Sequence, residues 1–130
     1  NDATLVGDPM WISGVVGGGL QFDGNDDFVD AAMDASVVGK GGFSVAAWVR
    51  TSANRDQVII QQRSAATYNG EYAVEIKATG QVYFWTFGDF AAGPAATSTQ
   101  AINDGQWHHV VAVREDNGTM RIYIDGVLDG

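Results

Sequence analysis

The chain has 130 residues, enough for one domain with its own core and too few for two. An apolar content of 45% against 18% charged residues excludes a disordered segment, and the absence of cysteine excludes a disulfide framework, a zinc–thiolate site and a cysteine nucleophile. The net charge of −9, with 13 Asp and 3 Glu, argues against nucleic acid and anionic lipid as partners, and no apolar run is long enough for membrane insertion.

Taken in chain order, the apolar residues alternate as strands do. Short strands are expected at Gly19–Phe22 and Asp27–Ala31, joined by a turn at Asp23-Gly24. The Gly-rich stretch Gly14–Gly19 does not open a helix, so it is not read as a phosphate-cradling loop. The one helix candidate, Met33–Val38, reads as a loop or a single turn. Phe43–Thr51 is the clearest strand: Phe43, Val45, Ala47 and Val49 share one face, and Ser44, Ala46, Trp48 and Arg50 share the other.

A strand follows at Gln57–Arg63. Then Tyr72, Val74 and Ile76 alternate with Ala73, Glu75 and Lys77, a pattern with one wet face. Val82 and Phe84 alternate with Tyr83, Trp85 and Phe87. Ala91–Thr99 reads as a small-residue loop broken at Gly93-Pro94 and leading into an edge strand. Trp107–Arg114 is a strand of mixed burial, and Met120, Ile122 and Ile124 alternate with Arg121, Tyr123 and Asp125. Turn pairs at Asn69-Gly70, Thr79-Gly80, Asp104-Gly105, Asn117-Gly118 and Asp125-Gly126 supply the positive φ angles that hairpins need. Short strands at this spacing predict an all-β protein, a two-sheet antiparallel β-sandwich.

Three segments, in order, resemble the laminin-G-like jelly rolls of the concanavalin A-like lectin/glucanase superfamily. The first is Gly19-Leu20-Gln21-Phe22-Asp23-Gly24-Asn25-Asp26-Asp27-Phe28-Val29. The second is Phe43-Ser44-Val45-Ala46-Ala47-Trp48-Val49-Arg50. The third is Gly105-Gln106-Trp107-His108-His109-Val110, followed by Arg121-Ile122-Tyr123-Ile124-Asp125-Gly126. The resemblance covers nearly the whole chain and implies a single jelly-roll domain over residues 1–130 of a secreted or cell-surface protein. Members of the family continue past this last turn with further strands, so the sandwich is expected to be truncated at its C-terminus, with the missing strands supplied elsewhere. The motif aromatics Phe22, Phe28, Trp48, Trp107 and Tyr123 are of a size to fill the space between two sheets.

Three kinds of chemistry compete on these residues. A retaining glycosidase needs two carboxylates about 5 Å apart. Glu71 and Glu75 share a strand face but stand about 13 Å apart along it, and the glucanase pattern of the resembled superfamily is missing, so no enzyme is expected. His108 and His109 are adjacent and point to opposite faces, so they do not grip one metal together, and a serine triad lacks its nucleophile elbow.

Calcium is the sharper expectation. Asp23, Asn25, Asp26 and Asp27 gather oxygen ligands in one loop, with Asp23 and Asp26 foremost, although Asp in such a loop also serves simply to bind turn amides. Jelly rolls of the resembled family often hold calcium in a loop.

A glycan would need exposed aromatics, and Tyr68, Trp85, Phe87 and Phe90 are the candidates. The face that Trp85 shares with Tyr83 and Phe87 is either a second core layer or a concave ligand face. The resemblance implies a non-catalytic module that binds a glycan or an extracellular protein. The alternative is an assembly module that self-associates through open sheet edges.

Overall fold

A computed structural model describes residues 3–31, 41–63, 71–88 and 91–130. The helix candidate at Met33–Val38 and the turn at Asn69-Gly70 lie outside these residues. The chain divides into two compact units, Asn1–Asp34 and Ala35–Gly130. No helix occurs among the described residues, and all pairing is antiparallel, so the fold is the expected all-β one.

The first unit is a pair of nested hairpins. Strand β1 (Thr4–Val6) pairs with β4 (Phe28–Asp30), and β2 (Met10–Ser13) pairs with β3 (Gly18–Gln21) inside it. The Gly-rich stretch is the inner turn: Gly14 N–H donates to Gly17 C=O at 2.9 Å, and Gly17 adopts φ +67°. Strands β1 and β2 are too short to show the alternation by which a strand is recognised.

The second unit is a sandwich of two four-stranded sheets. One has the order β12 (Val127–Leu128), β11 (Met120–Ile124), β10 (Trp107–Arg114), β5 (Phe43–Arg50). The other has the order β6 (Gln57–Gln62), β7 (Glu71–Ile76), β8 (Gln81–Gly88), β9 (Ala91–Ala101). Alternation puts Tyr72, Val74, Ile76, Val82 and Phe84 of one sheet against Val110, Ala112, Ile122 and Ile124 of the other, with Ile102 among them. Phe43, Val45, Val49 and Met120 complete this layer. Phe43 meets Tyr72 at 5.0 Å and Phe84 edge-on at 5.9 Å between ring centres, so these three rings form the aromatic centre of the core.

Three expectations need correction. Trp48 is 45% exposed, and Trp107 and Tyr123 are half-buried outside the core cluster. The period of two places Trp48 with Ser44 and Arg50, and register sets His109 and Val111 opposite Trp48 and Ala46 on that same outer face. Phe22 and Phe28, in the first unit, are about half exposed. Second, residues 91–99 are not a loop but part of the 11-residue strand β9. Its first six residues, AAGPAA, lack the β-branched and aromatic signature of a strand, yet Pro94 is tolerated because β9 lies at the sheet edge. Third, the second face of β7 is not wet throughout: Glu71 and Ala73 are buried alongside the core-facing residues.

Candidate functional site

The acidic loop lies wholly within the first unit. It joins β3 to β4, and Gly24 turns it with φ +79°. Asp23 Oδ1 accepts the Asn25 backbone N–H at 2.8 Å, and its Oδ2 accepts the Asn25 side-chain amide at 2.7 Å. Asp27 reaches further. Its Oδ1 accepts the Asp8 N–H at 2.7 Å and its Oδ2 the Asp23 N–H at 2.8 Å, so one carboxylate ties the end of the β1–β2 link to the β3–β4 loop. Gly7 must be glycine here: it has φ +78°, and a Cβ would lie 2.4 Å from Asp27 Oδ1.

Ligand oxygens of Asp23, Asp26 and Asp27 lie within 4.8 Å of one another. They border an open cavity of about 240 Å³ lined also by Gly7, Asp8, Met10 and Gln21. An all-oxygen set of this kind suits a hard cation such as calcium. Asn25 already donates both its backbone N–H and its amide to Asp23, so its Oδ1 is the atom it would offer a cation.

The aromatic candidates are only partly described, since Tyr68 and Phe90 lie outside the described residues. Trp85 and Phe87 project with Tyr83 from β8 on the face opposite Val82 and Phe84, so this face is not the inter-sheet core. It is half-buried, with Trp85 registered against the fully buried Ala73 and Phe87 against Glu71. Trp85 is held in place on two sides. Its indole N–H donates to Glu75 Oε1 at 3.0 Å, and the Arg63 guanidinium sits 5.7 Å from its ring centre.

Glu75 Oε2 accepts from Lys77 Nζ at 3.3 Å, and Lys77 stands 5.8 Å from the Tyr83 ring centre while pairing with Asp56. The hydrogen bond that Lys77 donates to Asp56 raises the Lys77 pKa, and the same contact lowers that of Asp56. The result is an aromatic row bordered by a carboxylate and a guanidinium, able to stack on a flat apolar ligand surface and to hydrogen-bond hydroxyls beside it.

A third cluster escaped the sequence reading. His108, 8% exposed, has Nδ1 at 2.8 Å from Asp125 Oδ2 and Nε2 at 3.2 Å from Asp104 Oδ1. Asp125 Oδ1 also accepts the His109 N–H at 2.8 Å, and Asp104 Oδ1 accepts the Gln106 N–H at 2.8 Å. Both ring nitrogens face carboxylates. Neither is aimed at a serine, so this is not a hydrolase triad. Burial of the ring opposes its charge, but the hydrogen bonds to Asp125 and Asp104 together outweigh it and carry the His108 pKa above the ordinary imidazole value. The hint was available in the opposite faces of His108 and His109 and in the Asp-Gly turn. What could not be read was the strand register that joins them. The Asn117-Gly118 pair is a local turn in which Thr119 N–H donates to Asn117 Oδ1 at 2.9 Å.

Comparison with known proteins bears on the fold. A crystal structure of an S-layer domain-containing protein (residues 221–444) from Clostridium thermocellum ATCC 27405 superposes with a TM-score of 0.57 at 23% identity. The match covers 98% of this chain and 58% of that one. No relative was found among curated proteins. The family model of the Concanavalin A-like lectin/glucanases superfamily matches residues 23–130, which hold both sheets of the sandwich, the second and third of the resembling segments whole and the first in part. With its two antiparallel sheets and that match, the chain belongs to the laminin-G-like group of the concanavalin A-like lectin/glucanase superfamily.

Proposed function

We propose that this chain is a non-catalytic binding module of a secreted or cell-surface protein, and that it takes a glycan on the outer face of the β6–β9 sheet at Trp85 and Phe87. The observation that carries this reading is the setting of Trp85, turned away from the core and fixed by Glu75 and Arg63. A sugar ring presents an apolar face to an indole and hydroxyls to the flanking charged groups, and a ring already oriented loses little freedom on binding. Glu75 is engaged by both Trp85 and Lys77, which favours a binding role over that of a catalytic acid. In this reading calcium, held by Asp23, Asp26 and Asp27 with help from Asn25, orders the loop of the first unit.

The test is retention on immobilised polysaccharides and on a glycan array. Trp85→Ala abolishes retention while the melting temperature and far-UV spectrum stay those of a folded β protein. Retention unchanged in that variant overturns the site, and a protein ligand captured in place of any glycan overturns the ligand class.

A second reading, self-association through open sheet edges, is favoured by the state of one strand. β5 pairs with β10 over eight continuous positions and, among the described residues, with no strand on its other side.

A further inference from the structure

β9 is the strand with the least local reason to be one. Its run AAGPAAT holds no aromatic residue and a single β-branched one, yet it belongs to a strand of 11 residues paired with β8. Alanine, glycine and proline are depleted in strands, and sequence choices that work against local structure concentrate at functional or strained sites.

These small residues stand beside large ones. Register sets Ala95 opposite Trp85 and Thr97 opposite Tyr83, and directly opposed residues point to the same face. Ala95 and Thr97 are exposed, whereas Ala96 between them packs inward on the core. An indole and a phenol therefore rise from β8 next to a floor made of one methyl group and one threonine.

The other flank of the same rings is taken. The order β6, β7, β8, β9 brings Arg63, Glu75 and Lys77 to Trp85 and Tyr83 from the side away from β9. Glu75 accepts the indole N–H at 3.0 Å, Arg63 stands 5.7 Å from the Trp85 ring centre, and Lys77 stands 5.8 Å from that of Tyr83. What remains beside the rings is a trough over Ala95 and Thr97.

We propose that this trough takes an uncharged linear glycan, laid along β9 with consecutive sugar rings against Tyr83 and Trp85. The inference rests on the glycan reading above and adds the charge, the length and the lie of the ligand. Two residues apart on one strand, the aromatic side chains stand about 7 Å apart, too far for one sugar ring to lie on both. A single terminal sugar uses half of the site. Lys77 is paired with Asp56 and Glu75, which leaves the one charge of Arg63 set against the net −9 of the chain. A polyanionic glycan meets no surplus of cations here and is repelled at longer range.

Position 95 separates binding from folding. Isoleucine there is the better strand former and pairs across the strands with Trp85, while its added carbons fill the floor on which the ligand lies.

The experiment is affinity electrophoresis in gels containing mixed-linkage β-glucan, glucomannan or xylan, with polygalacturonate as the anionic polymer. Titration calorimetry follows, with the mono-, di- and tetrasaccharide of the polymer that retards the chain most. The expected result is retardation by a neutral polymer and not by polygalacturonate, with the tetrasaccharide bound at least about tenfold more tightly than the monosaccharide. Ala95→Ile loses the retardation while its melting temperature stays at or above that of the parent. Thr97→Ile, which fills the floor beside Tyr83, serves the same test should Ala95→Ile melt early. Retardation by polygalacturonate alone, a monosaccharide bound as tightly as the tetrasaccharide, or full retardation of a folded Ala95→Ile overturns the trough. In those cases the glycan reading stands as long as Trp85→Ala abolishes binding. No retardation of the parent by any of the polymers overturns both.

Discussion

His108 and Asp125 face each other across 2.8 Å at the point where β10 begins and the β11–β12 turn closes. Asp125 holds that turn in the left-handed region, φ 53°, a conformation that Asp tolerates better than most residues. Its carboxylate then reaches both the His108 ring and the His109 amide, so the position of the hairpin depends on the charge of one buried imidazole. The folded-state pKa of His108 is raised, so its contribution is complete below the unfolded value of about 6.5 and is lost as pH rises through the folded value. The pKa of Asp125 is lowered, first by the His109 N–H and then by His108, so its contribution is present above the ordinary carboxylate value and is lost in acid. The melting temperature is therefore expected to be highest in mildly acidic solution and to fall toward pH 9. In His108→Gln the fall on the alkaline side flattens. Parallel melting curves for the two proteins between pH 5 and 9 would remove this account.

Asp129 closes one end of the sandwich. Its backbone N–H donates to Ile122 C=O on β11 at 2.8 Å, while its carboxylate accepts the Thr99 N–H, the Thr99 hydroxyl at 2.6 Å and the Gln100 N–H on β9. Three hydrogen bonds on one charge hold two sheets together, and they keep the Asp129 pKa low, chiefly through Thr99. Because the group is near solvent, its removal is expected to cost about 1–2 kcal/mol, below the sum of three buried bonds. In a chain of this size that lowers the melting temperature by roughly 4–8 °C. Thermal unfolding of Asp129→Ala measures it, and the cost should shrink as pH falls into the carboxylate range.

The strands that could be read from sequence are those in which side-chain identity alternates with burial. β5 and β11 show both faces in their residues, and the structure keeps those faces. What could not be read was the assignment of a face to the core when both faces are apolar or aromatic. Trp48, Trp107 and Tyr123 look like core residues by size and are placed outside by parity with Ser44, Arg50 and Arg121. β9 was hidden because its residues are small, and its strand character comes from pairing with β8 rather than from propensity. At the acidic loop the cluster of Asp23, Asp26 and Asp27 was legible as neighbours in sequence. The bond from Asp8 to Asp27, 19 residues apart, was not, since it depends on how β1 and β4 are registered.

Gly93 explains part of the β9 register shift. A Cβ at this position would lie 2.7 Å from Thr86 Oγ1 and 2.8 Å from the Thr86 carbonyl oxygen, and the latter is backbone that cannot swing aside. Gly93→Ala is expected to destabilise by about 1–3 kcal/mol, the usual cost of forcing extra atoms into a packed site. Gly41→Ala is the control, because its added carbon would meet nothing closer than Asp116 Oδ1 at 3.8 Å. Chemical denaturation of both variants, with equal m-values, tests the contrast. Equal midpoints would mean that β9 shifts freely away from Thr86.

The acidic loop makes a prediction in which structure and ligand pull apart. Asp27 has two jobs: it accepts the Asp8 and Asp23 amides, and it offers oxygen to a cation. Asp26 offers oxygen to a cation but has no such long-range amide to hold among the hydrogen bonds described. A cation bound only by the folded state raises the melting temperature by an amount that grows with its concentration. Calcium at millimolar concentration is therefore expected to raise the melting temperature of the unmodified chain, and EDTA to reverse it. In Asp26→Asn the calcium-dependent rise disappears while the melting temperature in EDTA stays that of the parent. In Asp27→Asn both are lowered, because an amide accepts through only one of its two terminal atoms and one of the two backbone donors is left without its acceptor. If calcium shifts neither the parent nor Asp26→Asn, yet Asp27→Asn still melts early, the loop is a hydrogen-bonded turn and its carboxylates serve the backbone alone.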